Sequence, residues 1–355
     1  MTRRTVMHAF PAIHTPIPPA IHPAAERVNA HTARWAGEWD LGEPEHRSHL
    51  VRQDLGGFAA RILPGGAEPV LEILADFVLW LFTVDDNWCE QGVTSRRPGE
   101  LAGMLSRLLR AAQAPETPIL RTDPLAATLR DLRRRLDRTG SPEQVARWVD
   151  ALREYCLAVV WEAQHRRSET VPELDDYVLM RLYNGATSPI YPLLEIGNGY
   201  ELAARERSHP QVRTATEMAS FVICWDNDLY SLARENTGRV LNAPTVTAQH
   251  ARVPLEQAIA ETIGQRNEVL TRFLELRDEL DHEASPRLRR YLRDLATFIR
   301  AAQDWTLGSA RYAGSVPAIT APLRDTPAAS TGRPIGIPAL AGWWETERCP
   351  AEPAC

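Results

Sequence analysis

Apolar residues recur along most of the chain at the three-and-four spacing of helices packed on one face, with short breakers between the segments. The spacing predicts helices over residues 24–39, 45–62, 69–89, 98–112, 124–138, 142–167, 172–185, 189–196, 210–235, 254–281 and 286–312. Many of them open on a proline, which suits the first helical turn because its missing N–H would be unpaired there anyway. Alternating strand-like runs are nearly absent, and the pairs Asn184-Gly185 and Asn198-Gly199 fall within or after helical patterns. No fixed-period repeat suggests a solenoid. The expectation is a single all-α domain over residues 23–313 around one core. A Pro-rich extended arm (1–22) precedes it, and a Pro/Gly-rich tail (314–355) follows, poorly ordered when nothing is bound and able to fold over a site as a lid.

Composition narrows the chemistry. With 355 residues, 44% of them apolar, the chain can bury a sizeable core, and a net charge of −6 offers no basic field for nucleic acid. All 40 basic residues are Arg, which removes Schiff-base chemistry and the P-loop lysine. Five scattered Cys with no C-x-x-C pair suit a reduced, cytoplasmic setting. The twin arginine of MTRRTVMHAFPAIHTPIPP has no apolar segment after it, so no export signal is expected, and the longest apolar run, Phe77 to Val84, is too short to span a bilayer.

Against this ordinary background, FVLWLFTVDDNWCE places Asp85, Asp86 and Glu90 directly after residues that belong in a core. Buried carboxylates need a counter-charge, and acid at a helix C-terminus opposes the macrodipole. At 100° per residue, Asp86 and Glu90 share a face, with Asp85 offset from it. In CWDNDLYSLARE, Asn227, Ser231 and Glu235 fall on one helical stripe, whereas Asp228 points about a quarter turn away, toward a supporting or solvated position. Carboxylate, amide and hydroxyl oxygens are hard ligands that suit Mg²⁺ or Mn²⁺ rather than zinc. Mg²⁺ usually completes its octahedron with water and substrate phosphates, so two such helices facing each other expect a phosphorylated substrate between them.

DDNWCE resembles the D-D-x-x-x-[DE] motif of bacterial class I terpene synthases (terpene cyclases), and NDLYSLARE is similar to their N-D-x-x-S-x-x-[KR]-E motif. Arg181, 46 residues before Asn227, matches the diphosphate-sensing arginine of that family, and Arg311-Tyr312 resembles its terminal Arg-Tyr pair. The resemblance implies a helical bundle around a central cavity and an Mg-dependent enzyme that ionises an acyclic prenyl diphosphate. Farnesyl diphosphate going to a sesquiterpene is the first expectation, with geranyl or geranylgeranyl diphosphate as alternatives. It also implies three Mg²⁺ ions and a small-molecule prenyl diphosphate as partner; no nucleic acid or membrane is expected, and the protein is expected to be a monomer or homodimer. Asp85 would ligate metal, Asp86 would pair with Arg311, and Glu90 would support the cluster; Asn227, Ser231 and Glu235 would hold another ion. Arg181, Arg234, Arg311 and Tyr312 would grip the diphosphate, Arg234 standing where a lysine is common. Asn184 and Gly185 would fill the linker and effector positions of a helix break, Asn184 where the family often has Asp. Phe82 and Trp305, then Phe58 and Phe221, are the aromatics expected to line the pocket. Three other readings compete: a prenyl diphosphate synthase lacks its second D-D-x-x-D motif here, a class II cyclase lacks D-x-D-D, and a non-catalytic helical binding protein would leave the acids as solvated faces.

Overall fold

The computed structural model describes residues 10–90, 93–235, 241–309 and 321–345; the side chains of Glu90, Val93, Ala233, Arg234 and Glu235 are outside that description. Among the described residues the chain is mostly helical. In order come α1 (Ala25–Glu38), α2 (Pro44–Val51), α3 (Leu55–Ile62), α4 (Glu68–Val84), α5 (Pro98–Gln113), α6 (Pro124–Thr139), α7 (Pro142–Ser168), α8 (Leu174–Asn184), α9 (Tyr191–Gly197), α10 (Ala204–Arg207), α11 (Pro210–Glu235), α12 (Ala243–Ala251), α13 (Leu255–Asp281) and α14 (Pro286–Gly308).

The helix starts follow from local chemistry. Asp123, Ser141 and Ser285 each precede a proline and accept the backbone N–H three residues on, at 3.1 Å in every case. The Gln144 side chain returns a bond to the Ser141 N–H at 2.9 Å, completing a capping box. The predicted helix over residues 45–62 is instead two, because Asp54 adopts a left-handed backbone (φ 56°) that an α-helix cannot contain. The predicted helix to Tyr312 ends at Gly308, where Ser309 is extended. Two helices had no counterpart in the apolar pattern: α12, started by an Asn242–Thr245 box, and the single turn α10.

α4 lies at the centre, buried on nearly every side from Val70 to Val84, with α1, α3, α6 and α9 around it. α11 is its counterpart in the other half, packed on α8, α13 and α14. One charge sits deep in α4: Asp76 is fully buried and held by Arg135 at 2.6 Å and His31 at 3.1 Å.

The ends of the described chain are extended, but they are not loose. Ile13–His14 (β1) pairs in parallel with Leu323–Arg324 (β2). Arg266 of α13 binds Asp226 of α11 through two bonds of 2.8 and 2.9 Å and reaches the carbonyl of His14 and Oγ1 of Thr15, pinning the N-terminal segment. Glu268 accepts the N–H groups of Thr331 and Gly332, and Trp343 donates its indole N–H to Glu217 at 3.2 Å. Residues 321–345 are therefore a strap along the outer faces of α13 and α11, and none of them lines the cavity described next. Residues 310–320, with Arg311 and Tyr312, lie outside the described residues.

Candidate active site

A deep cavity opens between α4, α7, α8, α11 and α14. Its floor is apolar and aromatic. Phe82 of α4 stacks on Trp305 of α14 (centroids 5.8 Å apart, 16° between planes), and Trp305 stacks in turn on Phe58 of α3 at 4.6 Å. The indole N–H of Trp305 is fixed by a 2.8 Å bond to the carbonyl of Gln53, in the turn between α2 and α3. Phe298 completes the wall, 6.4 Å from Phe58. Sequence reading missed Phe298, although it lies seven residues, two helical turns, before Trp305, and that repeat was the available signal. Phe221 does not belong here. It is fully buried without lining the cavity, stacked 3.9 Å from Trp225 and covered edge-on by Trp343 of the strap.

The mouth is polar. DDNWCE does not continue α4 as an α-helix: Asp85–Glu90 form a π-helical turn with i→i+5 bonds, so the 100° rule misplaces its side chains. Asp85 lines the cavity. Asp86 is buried and turned to His46, whose Nε2 is 3.7 Å away, and does not line it. Its expected partner Arg311 and the side chain of Glu90 lie outside the described residues.

Arg181, in the last turn of α8, gathers the opposite wall. Its Nε and Nη2 reach Asp228 Oδ1 at 3.0 and 2.8 Å, Nη2 also donates to Asn227 Oδ1 at 2.7 Å, and Nη1 donates to Asn184 Oδ1 at 3.1 Å. Asp228 is not solvated: it is 2% exposed and further accepts the Tyr177 hydroxyl and the Ala243 N–H (2.8 Å). Burial pushes its carboxyl pKa up, and the Arg181 charge opposes that shift. For Arg181 burial acts against the charge, but Asp228 and its neighbours outweigh it and hold the guanidinium well above its ordinary value.

The chain breaks after α8. Gly185 has ordinary helical angles, and the left-handed residue is Ala186, φ 56°, in a region that costs a non-glycine residue about 1–2 kcal/mol. Gly185 is required for a different reason, since a Cβ there would stand 2.3 Å from Cys224 Sγ on α11. Thr187 then donates its hydroxyl to Ser220 at 2.8 Å, and Ser188–Ile190 start the next turn.

The donor set fits a hard cation. Asn227 lines the cavity, and one turn later Ser231 Oγ is fully buried with no hydrogen-bond partner among the described residues. A buried hydroxyl without a partner costs free energy unless something satisfies it, and a cation bound on the Asn227 stripe would do so. Glu235 and Arg234 continue that helix, with side chains outside the described residues. Among the described residues no three His, Cys, Asp or Glu side chains form a metal-holding group; the side chains of Glu90 and Glu235 are not among them.

Residues 76–272, more than half of the chain and including every group just placed on α4, α8 and α11, match the family described as terpene synthase family 2, C-terminal metal binding. The chain belongs to the terpene synthase family. This terpene synthase is 34% identical over 348 residues to (+)-T-muurolol synthase of Streptomyces clavuligerus, a match covering 95% of this chain and 82% of that protein. It is 34% identical to bonnadiene synthase of Allokutzneria albata, over 97% of this chain and 100% of the other. Its fold superimposes on the crystal structure of the SVS_A2 protein from ancestral sequence reconstruction with a TM-score of 0.86, 32% identity and coverage of 94% and 98%. Germacradien-4-ol synthase of Streptomyces citricolor, at 20% identity and a TM-score of 0.73, has the same fold. Among the described residues of the terpene synthase no helix is long and apolar enough to cross a membrane.

Proposed function

We propose that this enzyme is an Mg-dependent class I cyclase that ionises farnesyl diphosphate, releases diphosphate and closes the carbocation to a sesquiterpene. The observation that carries the reading is one side chain: Arg181 touches the Asn227 stripe, Asp228 and the α8 break at once, at the mouth of a cavity whose floor is stacked aromatic rings. The first-mentioned relative, (+)-T-muurolol synthase, is named as cyclising (2E,6E)-farnesyl diphosphate, which favours that chain length.

Asp85 on one wall, with Asn227 and Ser231 on the other, would hold divalent metal at the diphosphate end. When bound, Mg²⁺ supplies Lewis-acid neutralisation of the leaving diphosphate, and three ions are expected from the family resemblance. Arg181 donates to the diphosphate oxygens and is kept charged for this by Asp228. Arg234, Arg311 and Tyr312 are assigned to the same task from the sequence. Phe58, Phe82, Phe298 and Trp305 exclude water from the apolar end and offer π-faces to the cation, each worth about 0.5–2 kcal/mol. The protein acts as a monomer or homodimer in the cytoplasm.

The test is incubation with geranyl, farnesyl and geranylgeranyl diphosphate and Mg²⁺, reading inorganic diphosphate and the products by gas chromatography and mass spectrometry. Farnesyl diphosphate should give a cyclic sesquiterpene. A product from another chain length alone would overturn the substrate, and no diphosphate from any of the three would overturn the reading.

A further inference from the structure

Glu162 of α7 was not among the residues singled out in the sequence, yet it lines the cavity wall and sits between two parts of the site. Its Oε2 accepts Asn184 Nδ2 at 2.9 Å, and its Oε1 accepts Arg166 Nη2 at 2.5 Å. Arg166, only 7% exposed, donates in turn to the backbone carbonyl of Cys89, inside the DDNWCE turn. The chain of contacts therefore runs from Arg181 through Asn184, Glu162 and Arg166 to the carbonyl of Cys89. It joins the break after α8 to the acidic motif at the end of α4, two segments far apart in sequence.

We propose that Glu162 is a positioning residue: it fixes the α8 break and the acidic turn at their working separation, and it is the reason position 184 carries an amide. Asn184 has to accept from an arginine on one side and donate to a carboxylate on the other. An amide does both, while an ionised carboxylate only accepts. An aspartate at 184 would put an oxygen 2.9 Å from Glu162 Oε2 in place of the donor, so the two residues at 162 and 184 are chosen as a pair.

This rests on the cyclase reading above, and the test separates the two. Diphosphate release from farnesyl diphosphate with Mg²⁺ is measured for wild type, Asn184→Asp, Asn184→Asp with Glu162→Gln, and Glu162→Ala, together with a thermal melt of each. Asn184→Asp should lower kcat about 10- to 100-fold, the size of an unsatisfied buried polar group, with a smaller change in KM. Adding Glu162→Gln restores a donor–acceptor pair with the roles exchanged and should recover most of that loss. Glu162→Ala should lower kcat without a matching change in KM while the protein still melts cooperatively. A double variant no more active than Asn184→Asp, both being folded, overturns the pairing. Wild-type kcat in Glu162→Ala overturns the positioning role. Absence of turnover by the wild type on any prenyl diphosphate overturns the cyclase reading instead.

Discussion

Gly185→Ala would place a methyl group 2.3 Å from Cys224 Sγ, more than an ångström inside ordinary van der Waals contact. The sulfur cannot simply yield. Cys224 is 1% exposed, its thiol donates to the Arg181 carbonyl at 3.4 Å, and burial holds it as a neutral thiol with its pKa pushed up to about 11. Either the thiol leaves that contact or the break moves away from α11, carrying Arg181 and Asn184 with it. Overpacking of this kind costs about 1–3 kcal/mol, which corresponds to roughly 5- to 150-fold if it is expressed in turnover. The next atoms a Cβ would meet are Arg181 O at 3.4 Å and Arg181 Nη1 at 3.6 Å, both ordinary contacts, so the sulfur alone makes the alanine intolerable. A double-mutant cycle isolates this: Gly185→Ala, Cys224→Ala and the pair are compared with wild type by steady-state diphosphate release and by thermal melting. Cys224→Ala alone should cost little activity, Gly185→Ala much, and the pair should recover most of the loss, a coupling of about 1–3 kcal/mol. Additive effects, or a Gly185→Ala enzyme as fast as wild type, would refute the steric argument.

Asp228→Asn should destabilise the fold by about 3–5 kcal/mol, because it leaves the Arg181 guanidinium in a buried site without its closest counter-charge; urea denaturation checks this, and a change below about 1 kcal/mol would show that the pair does not hold α8 to α11. The second expectation concerns pH. The hydrogen bond to Asp76 raises the His31 pKa above its ordinary value of 6.5, against the opposing effect of burial. A raised folded-state pKa gives stability that is fully present below the unfolded value and is lost as pH rises through the folded one. The stability difference between wild type and His31→Gln should therefore be full below pH 6.5 and shrink as the pH rises above it through the raised folded-state value in urea melts, and an unchanged difference would show that the charged imidazole contributes nothing.

The DDNWCE and NDLYSLARE stretches and Arg181 stood out in the chain because metal and phosphate chemistry demands particular residue types at helical spacing. The π-helical form of Asp85–Glu90 was not. A 3.6-residue period is assumed when such a stretch is read from sequence, and Arg166, which reaches the Cys89 carbonyl from α7, is 77 residues away. Asp228 was left between a supporting and a solvated position for a similar reason: a face one quarter turn off the Asn227 stripe is polar in sequence, and only the packing of α8 and α12 against α11 makes it an interior where it supports Arg181. Phe221 looked like pocket because nothing in its neighbourhood said that the strap, 122 residues later, would bring Trp343 over it.

The sequence by itself determined that the chain is helical, where most helices begin, and which oxygen donors share a helical stripe, since each of these is a property of residues within a turn or two of one another. Tertiary structure decided which of those side chains face one another: that Arg181 is held by Asp228, that Asn184 answers to Glu162, that Gly185 makes room for a sulfur, and that Phe298 rather than Phe221 joins the aromatic wall. Those pairings depend on how helices distant in the chain rotate about their axes to bury their apolar faces together, and no local pattern of residues carries that angle.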